Sequence, residues 1–128
     1  MQPYDDSNIF ARILRGEIPV HQKVYEDDHV LAFHDILPKA PLHVLVIPKG
    51  KYATIYDFYK QASAEELLHF SRAVTRIIDQ LDIQKKGYRI VTNCGRMGGQ
   101  EVPHFHLHIL SGRPLGSMVE PLETAPSF

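Results

Sequence analysis

Residues 104–110 read His104-Phe105-His106-Leu107-His108-Ile109-Leu110. Alternation with a period of two belongs to a β-strand, whose successive side chains point to opposite faces of a sheet. Phe105, Leu107 and Ile109 then face a core, and His104, His106 and His108 stand in a row on the other side. The pattern predicts a last strand from His104 to Leu110 that carries three imidazoles on one face.

Upstream of it, Cys94–Gln100 is a loop bearing three glycines, preceded by a strand over 88–93. Before that strand lies a long helix. Ser63-Ala-Glu-Glu66 has the form of a capping box, and Leu67, Phe70, Val74, Ile77, Ile78 and Leu81 repeat at three and four. Lys85 and Lys86 suit the negative end of that helix, and Gly87 supplies its stop. Leu42–Ile47 is aliphatic and β-branched and ends at Pro48, which predicts a central strand. Lys23–Glu26 and His29–His34 read as two strands joined at Asp27-Asp28. Ser7 is placed to cap a short helix with Ile9, Phe10, Ile13 and Leu14 on one face, ended by Gly16 and Pro19. Residues 1–7 read as loose. Hairpin-like strands with one long and one short helix indicate an antiparallel α+β fold.

The chain has 128 residues, which predicts one domain over 1–128, with a core of about 7–115 and a tail over 116–128. With 44% hydrophobic and 23% charged residues it is not a disordered chain. No apolar run is long enough to span a bilayer, and no signal segment is evident, so a cytoplasmic protein is expected. A net charge of −1 offers no field for a nucleic-acid backbone. The single cysteine, Cys94, excludes an internal disulfide. Eight histidines are the unusual count, and function is sought among them.

Three imidazoles in a row suit two chemistries. A zinc ion takes imidazole nitrogen at about 2.0–2.1 Å. On a straight strand the outer two histidines lie about 13 Å apart at ~3.3 Å per residue, so only two of them, joined by His43, fit one ion. A phosphoryl group is the other candidate. Near neutrality neighbouring imidazoles take different protonation states, so a neutral central ring can attack phosphorus while a protonated neighbour steadies an oxygen. The glycines of the preceding loop let backbone N–H groups approach an anion. The bland alternative is a polar outer face of an edge strand.

Three blocks carry a family resemblance. Gln100-Glu-Val-Pro-His-Phe-His-Leu-His108 resembles the signature of the histidine triad (HIT) superfamily. Asp35-Ile-Leu-Pro-Lys-Ala-Pro-Leu-His-Val-Leu-Val-Ile-Pro-Lys49 resembles a second block of its Hint branch, and Ile9-Phe-Ala-Arg-Ile-Leu-Arg-Gly-Glu-Ile-Pro19 its opening helix. The resemblance implies a five-stranded antiparallel sheet, paired in a homodimer into ten strands. It also implies hydrolysis at the α-phosphorus of purine nucleoside phosphoramidates or aminoacyl-nucleotides, with no cofactor or metal, no polymer partner and no membrane. His106 would attack phosphorus, His108 would hold phosphate oxygens, and His104 and His43 would form an orienting relay. Asn93, Gly99 and Gln100 would stand near the phosphate. Asp35 would accept both ribose hydroxyls, since a carboxylate has two acceptor oxygens for a vicinal diol. Ile9, Phe10, Ile13, Phe33 and Ile36 would form the slot for the base.

The chain departs from the eukaryotic Hint pattern at Glu101, where those enzymes carry a serine, and after Arg113, where their Trp-Pro-Pro-Gly ending is absent. Glu101 pointing inward would repel a phosphate, so it is expected to face away or to meet an amine leaving group. His108, instead of the glutamine of the nucleotidyltransferase branch, favours a hydrolase. Dinucleoside polyphosphate hydrolysis, a non-catalytic nucleotide-binding module and a metal-dependent hydrolase remain as alternatives. His21, His29, His34 and His69 match nothing catalytic, and His69, off the apolar stripe, is expected to be exposed.

Overall fold

A computed structural model describes residues 3–124. Five strands form one antiparallel sheet: β1 (Lys23–Glu26), β2 (Val30–His34), β3 (Leu42–Pro48), β4 (Arg89–Val91) and β5 (Leu107–Ser111), in the order β1-β2-β3-β5-β4. Among the described residues three helices accompany it: α1 (Ile9–Leu14), α2 (Ile55–Gln61) and α3 (Ala64–Leu81). Among the described residues no helix is long and apolar enough to cross a membrane.

Strand period assigns the two faces. Val30, Ala32, Val44, Val46, Ile109 and Phe105 point to one side and are buried against Phe58 of α2 and Phe70, Ala73, Ile77 and Ile78 of α3. On the other side Leu31, Phe33, Leu45 and Ile47 meet Phe10 of α1. The register pairs Leu45 with His108 and His43 with Leu110, so both histidines emerge on the α1 face. The helix stripe therefore lies on the sheet as its spacing predicts, with Leu67, Val74 and Leu81 packed at its margins.

Several element boundaries differ from the sequence reading. The last strand begins at Leu107, not His104, because the preceding backbone bonds elsewhere: Phe105 N–H donates to Tyr52 O at 2.7 Å, and His106 O accepts Thr92 Oγ1 at 2.8 Å. The alternation of side chains persists through that irregular stretch. Thr92 is thereby drawn out of the ladder, and β4 is shorter than the strand expected over 88–93. Asn8, not Ser7, caps α1: its Oδ1 accepts Ala11 N–H at 2.9 Å, while Ser7 turns to Asp5. The capping box of α3 forms as read, with Ser63 and Glu66 bonded reciprocally. Its other end does not reach Lys85 and Lys86. Asp82 takes a left-handed conformation at φ 57°, and Ile83 turns back into the core with its N–H on Ile78 O. The short helix α2 has no counterpart in the sequence reading; Thr54 caps it, and Phe58 buries its inner face.

Two further expectations are overturned. Residues 1 and 2 lie outside the described residues, but 3–7 are not uniformly loose, since Tyr4 packs on His104. His69 is half-buried, and its Nε2 lies 2.8 Å from Asp27 Oδ2. Burial alone would raise the Asp27 carboxyl. Donation by Tyr25 O–H, the His29 N–H and His69 outweighs burial and holds it well below the usual carboxylate range. This knot pins the β1–β2 turn to α3.

Candidate active site

A cavity of about 500 Å³ opens on the α1 face of the sheet. Its floor is His106, His108 and His43; α1 supplies Ile9, Phe10 and Ile13 to one wall, and Phe33 from β2 lies behind them. Asp35, Ile36 and Lys39 come from the β2–β3 loop, and Asn93, Gly99 and Glu101 from the glycine loop. The fold thus gathers nearly every residue singled out in the sequence. Gln100 and His104 are the exceptions, since neither lines the cavity. Gln100 is spent on the loop itself: its Nε2 donates to Ala53 O and Val102 O, and its Oε1 accepts Gly95 N–H. Glu101 is exposed at the cavity wall, near enough for its carboxylate to favour the charged form of His106.

Backbone partners assign the ring protons. His106 Nδ1 lies 2.7 Å from the His104 carbonyl, which only accepts. Its proton is therefore on Nδ1, and the Nε2 lone pair is left for the cavity. The Lys39 N–H donates to His43 Nδ1 at 3.0 Å, so a neutral His43 carries its proton on Nε2. That proton points to His108 Nδ1, 2.9 Å away. A neutral His108 is then protonated on Nε2 and is a donor. The His106 and His108 rings lie 5.0 Å apart between centroids, so the ring with a free acceptor nitrogen adjoins the ring that is a donor.

The relay expected between His104 and His43 does not form. His104 bonds to Pro48 O at 2.8 Å and to Tyr4 OH, whereas His43 bonds to Lys39 and His108. Two separate supports exist, one behind each working ring. Tyr4 escaped the sequence reading because no local pattern links it to a residue 100 positions away.

Burial keeps these rings neutral. It pushes His104 down to about 4 and lowers His106, although the His104 carbonyl, Asp35 and Glu101 favour the charged form of His106. His108 is also pushed to about 4, by burial first and then by His106, His43 and Lys39. His43 is lowered by burial against the opposing pull of Asp35.

Asp35 accepts the Leu37 N–H at 2.9 Å through Oδ1, and its Oδ2 lies 3.5 Å from His43 Nε2. A carboxylate has about four lone-pair sites, so acceptor capacity remains towards the cavity. Asn93 Nδ2 donates to Gly98 O at 2.6 Å, which holds the amide against the glycine loop. Asp35, His43 and His108 are also the one group among the described residues with ligand atoms close enough for a metal ion. An ion there would have to displace the hydrogen bond between the two histidines.

Residues 15–115 match the HIT domain. The chain belongs to the HIT family. A HIT-like protein of Azospirillum brasilense is 52% identical over 116 residues, spanning 91% of this chain and 94% of its own. The purine nucleoside phosphoramidase of Escherichia coli is 45% identical over 117 residues, spanning 89% and 94%. Among solved structures, a HIT family hydrolase from Clostridium thermocellum superposes with a TM-score of 0.80 at 37% identity, covering 91% of this chain and 99% of that one. A histidine triad protein from Clostridium difficile gives 0.77 at 40% identity, covering 93% and 100%. The family blocks read from the sequence are thus those of a HIT protein, and the HIT fold brings them to one cavity.

Proposed function

We propose that this HIT protein is a hydrolase of purine nucleoside phosphoramidates or aminoacyl-nucleotides, working through a nucleotidyl group on His106. The observation that carries the reading is the bond from His106 Nδ1–H to the His104 carbonyl, which leaves Nε2 unprotonated in the cavity. A neutral imidazole held this way is a nucleophile without any prior proton transfer. His106 Nε2 forms a bond to the α-phosphorus, and the P–N bond to the amine breaks. The amine leaves with that electron pair and is protonated by solvent at the open mouth. Water then attacks the same phosphorus and gives up a proton to solvent, the P–Nε2 bond breaks with its electron pair returning to Nε2, and the nucleoside monophosphate departs. The His108 Nε2–H donates to a non-bridging oxygen as charge builds there.

The rest of the cavity serves the nucleoside. Phe10, Ile13, Phe33 and Ile36 present apolar surface for a purine, and Asp35 accepts from the ribose. Glu101 at the wall disfavours a polyphosphate leaving group by charge repulsion and suits a cationic amine. The E. coli relative's name, purine nucleoside phosphoramidase, supports the same class. The short edge strand β4, flanked by exposed Tyr88 and carrying exposed Ile90, is the place for the pairing of two sheets in a homodimer. Sedimentation at graded concentrations tests that assembly.

The function is tested with AMP-amine, aminoacyl-AMP and diadenosine substrates on the wild type and on His106→Ala. Turnover of the first two, its loss in His106→Ala and a nucleotide trapped covalently on the wild type are expected. AMP binding without turnover would identify a binding module instead.

A further inference from the structure

The segment before α1 approaches the histidines from behind the cavity. Tyr4 O–H is hydrogen-bonded to His104 Nδ1, and its ring meets the imidazole edge to face with centroids 5.6 Å apart. The direction of that bond is fixed by the other side of the ring. Pro48 O only accepts, so His104 Nε2 carries the proton, Nδ1 holds a lone pair, and the Tyr4 hydroxyl is the donor. Asn8 Nδ2 donates to the same hydroxyl at 3.1 Å, while Asn8 Oδ1 caps α1. His104 is wholly buried and touches no part of the cavity, yet its carbonyl receives the His106 Nδ1–H.

We propose that Tyr4 is a positioning residue for His106, acting through His104. It locks the His104 ring in one tautomer and orientation, and so steadies the carbonyl that aims His106 Nε2 at phosphorus. The inference rests on the reading of His106 as nucleophile. It adds a second purpose to the N-terminal segment: the same short stretch that supplies Ile9 and Phe10 to the base slot also braces the nucleophile from behind.

The lock resists protonation. A proton added at His104 Nδ1 would set two donors face to face unless the hydroxyl turned, and Asn8 already donates to that oxygen. The groups around the lock are few. Asp5, Asp6 and Arg15 act on Tyr4 from its own segment and α1. His106 acts on His104, and Asp35 and Glu101 act on His106. Phe10 of α1 walls both rings, its centroid 6.3 Å from that of His104 and 5.0 Å from that of His106.

Tyr4→Phe keeps the aromatic ring and removes only the donor. With adenosine 5′-phosphoramidate, kcat should fall by about 10- to 100-fold, as expected of small misplacement at a reacting atom, while KM changes by less than ~2-fold. The acid limb of kcat should move to higher pH, since His104 now protonates more readily. If Tyr4 only fills space, Tyr4→Phe lowers the melting temperature but leaves kcat and its acid limb in place, and the proposal is wrong. Nitrogen-15 NMR of the wild-type imidazoles gives a test that needs no variant: from about pH 5 to 8 His104 should hold its proton on Nε2 with Nδ1 as acceptor. A proton on Nδ1 would overturn the lock. Turnover that survives His106→Ala defeats the nucleophile reading itself; an unaffected Tyr4→Phe in a chain that His106→Ala inactivates defeats this inference alone.

Discussion

His43 Nε2 and His108 Nδ1 are 2.9 Å apart, and the proton between them belongs to His43, because a backbone N–H from Lys39 occupies the other His43 nitrogen. One backbone amide thereby fixes two tautomers in series and leaves His108 a donor on the side of the cavity. The ring of His106, the nucleophile of the proposed reaction, is handled by the same logic in reverse. The His104 carbonyl claims the Nδ1 proton of His106 and leaves an acceptor. Donor and acceptor rings sit side by side without either being charged.

His108→Ala should therefore cost about 10²–10³ in kcat, the usual loss for one preorganised donor to a developing anionic oxygen. His43→Ala should cost less, because the hydrogen bond of His43 acts on the substrate through His108. In a double-mutant cycle measured by kcat, adding His43→Ala to His108→Ala should change little. Full additivity of the two losses would show that His43 reaches the substrate on its own.

The pH dependence follows from the lowered imidazoles. His106 is lowered by burial, so the free enzyme should keep its kcat/KM on acidification until below the ordinary imidazole range near 6.5. A bound phosphate favours the protonated neighbours, so the acid limb of kcat should lie at higher pH than that of kcat/KM. Stopped assays across about pH 4 to 8 separate the two limbs.

Stability should follow the same groups. The folded state holds His104 at about 4 against 6.5 unfolded, so the unfolded chain binds more protons between these values. The contribution is fully present above pH 6.5 and is lost as the pH falls towards 4. For this buried ring it is on the order of 3 kcal/mol, at ~1.4 kcal/mol per pH unit. Thermal melts should show a lower midpoint at pH 5 than at pH 7, and His104→Asn should flatten that dependence even where it lowers stability outright. Asp27 adds a separate loss only at the acid end, because its carboxyl is held below the ordinary range.

The residues that were legible in the sequence share a local signal. The period of two in 104–110 assigns to the core both Ile109, inside the ladder, and Phe105, before it begins, because alternation needs only an extended backbone. The Ser63–Glu66 capping box is likewise contained in four residues. What was not legible is non-local. Ile55–Gln61 carries aromatic and β-branched residues that mask a helix, and it is fixed by Phe58 entering the core. The end of α3 is decided by Ile83 returning to that core, not by the glycine further on. The role of Tyr4 depends on a contact across 100 residues, and the separation of His104 from His43 depends on which carbonyls each ring meets. The family resemblance named the cavity residues, but the direction of each proton needed the backbone.

Asp35 should govern the choice of sugar. Its Oδ1 is partly engaged by the Leu37 N–H, and both oxygens retain acceptor capacity. A site that accepts from a substrate hydroxyl discriminates against the analogue that lacks it, because a half-buried acceptor loses its partner when the bound nucleoside excludes water. The wild type should therefore prefer ribonucleoside over 2′-deoxyribonucleoside phosphoramidates by about 10-fold or more in kcat/KM. Asp35→Ala should lower kcat/KM for the ribonucleoside and bring the two substrates to within ~3-fold, the selectivity that remains when the acceptor is gone. A ratio unchanged in the variant would remove Asp35 from sugar recognition.

Gly98 should matter to chemistry through Asn93. A Cβ at Gly98 would lie 2.4 Å from Cys94 O and 2.9 Å from Cys94 N, both backbone atoms that cannot step aside cheaply. The loop would have to open, and the Gly98 carbonyl that holds Asn93 Nδ2 at 2.6 Å would move with it. Gly98→Ala is thus expected to lower kcat/KM by about 10-fold or more, the scale of a misplaced positioning group. Gly116 lies in the tail with open space around its Cα, and Gly116→Ala, strained at φ 76° but remote from the cavity, should leave kcat/KM near the wild-type value. Comparing the two with adenosine 5′-phosphoramidate separates distortion of the glycine loop from a general cost of replacing glycine. Equal activity in both variants would show that the glycine loop does not shape the site.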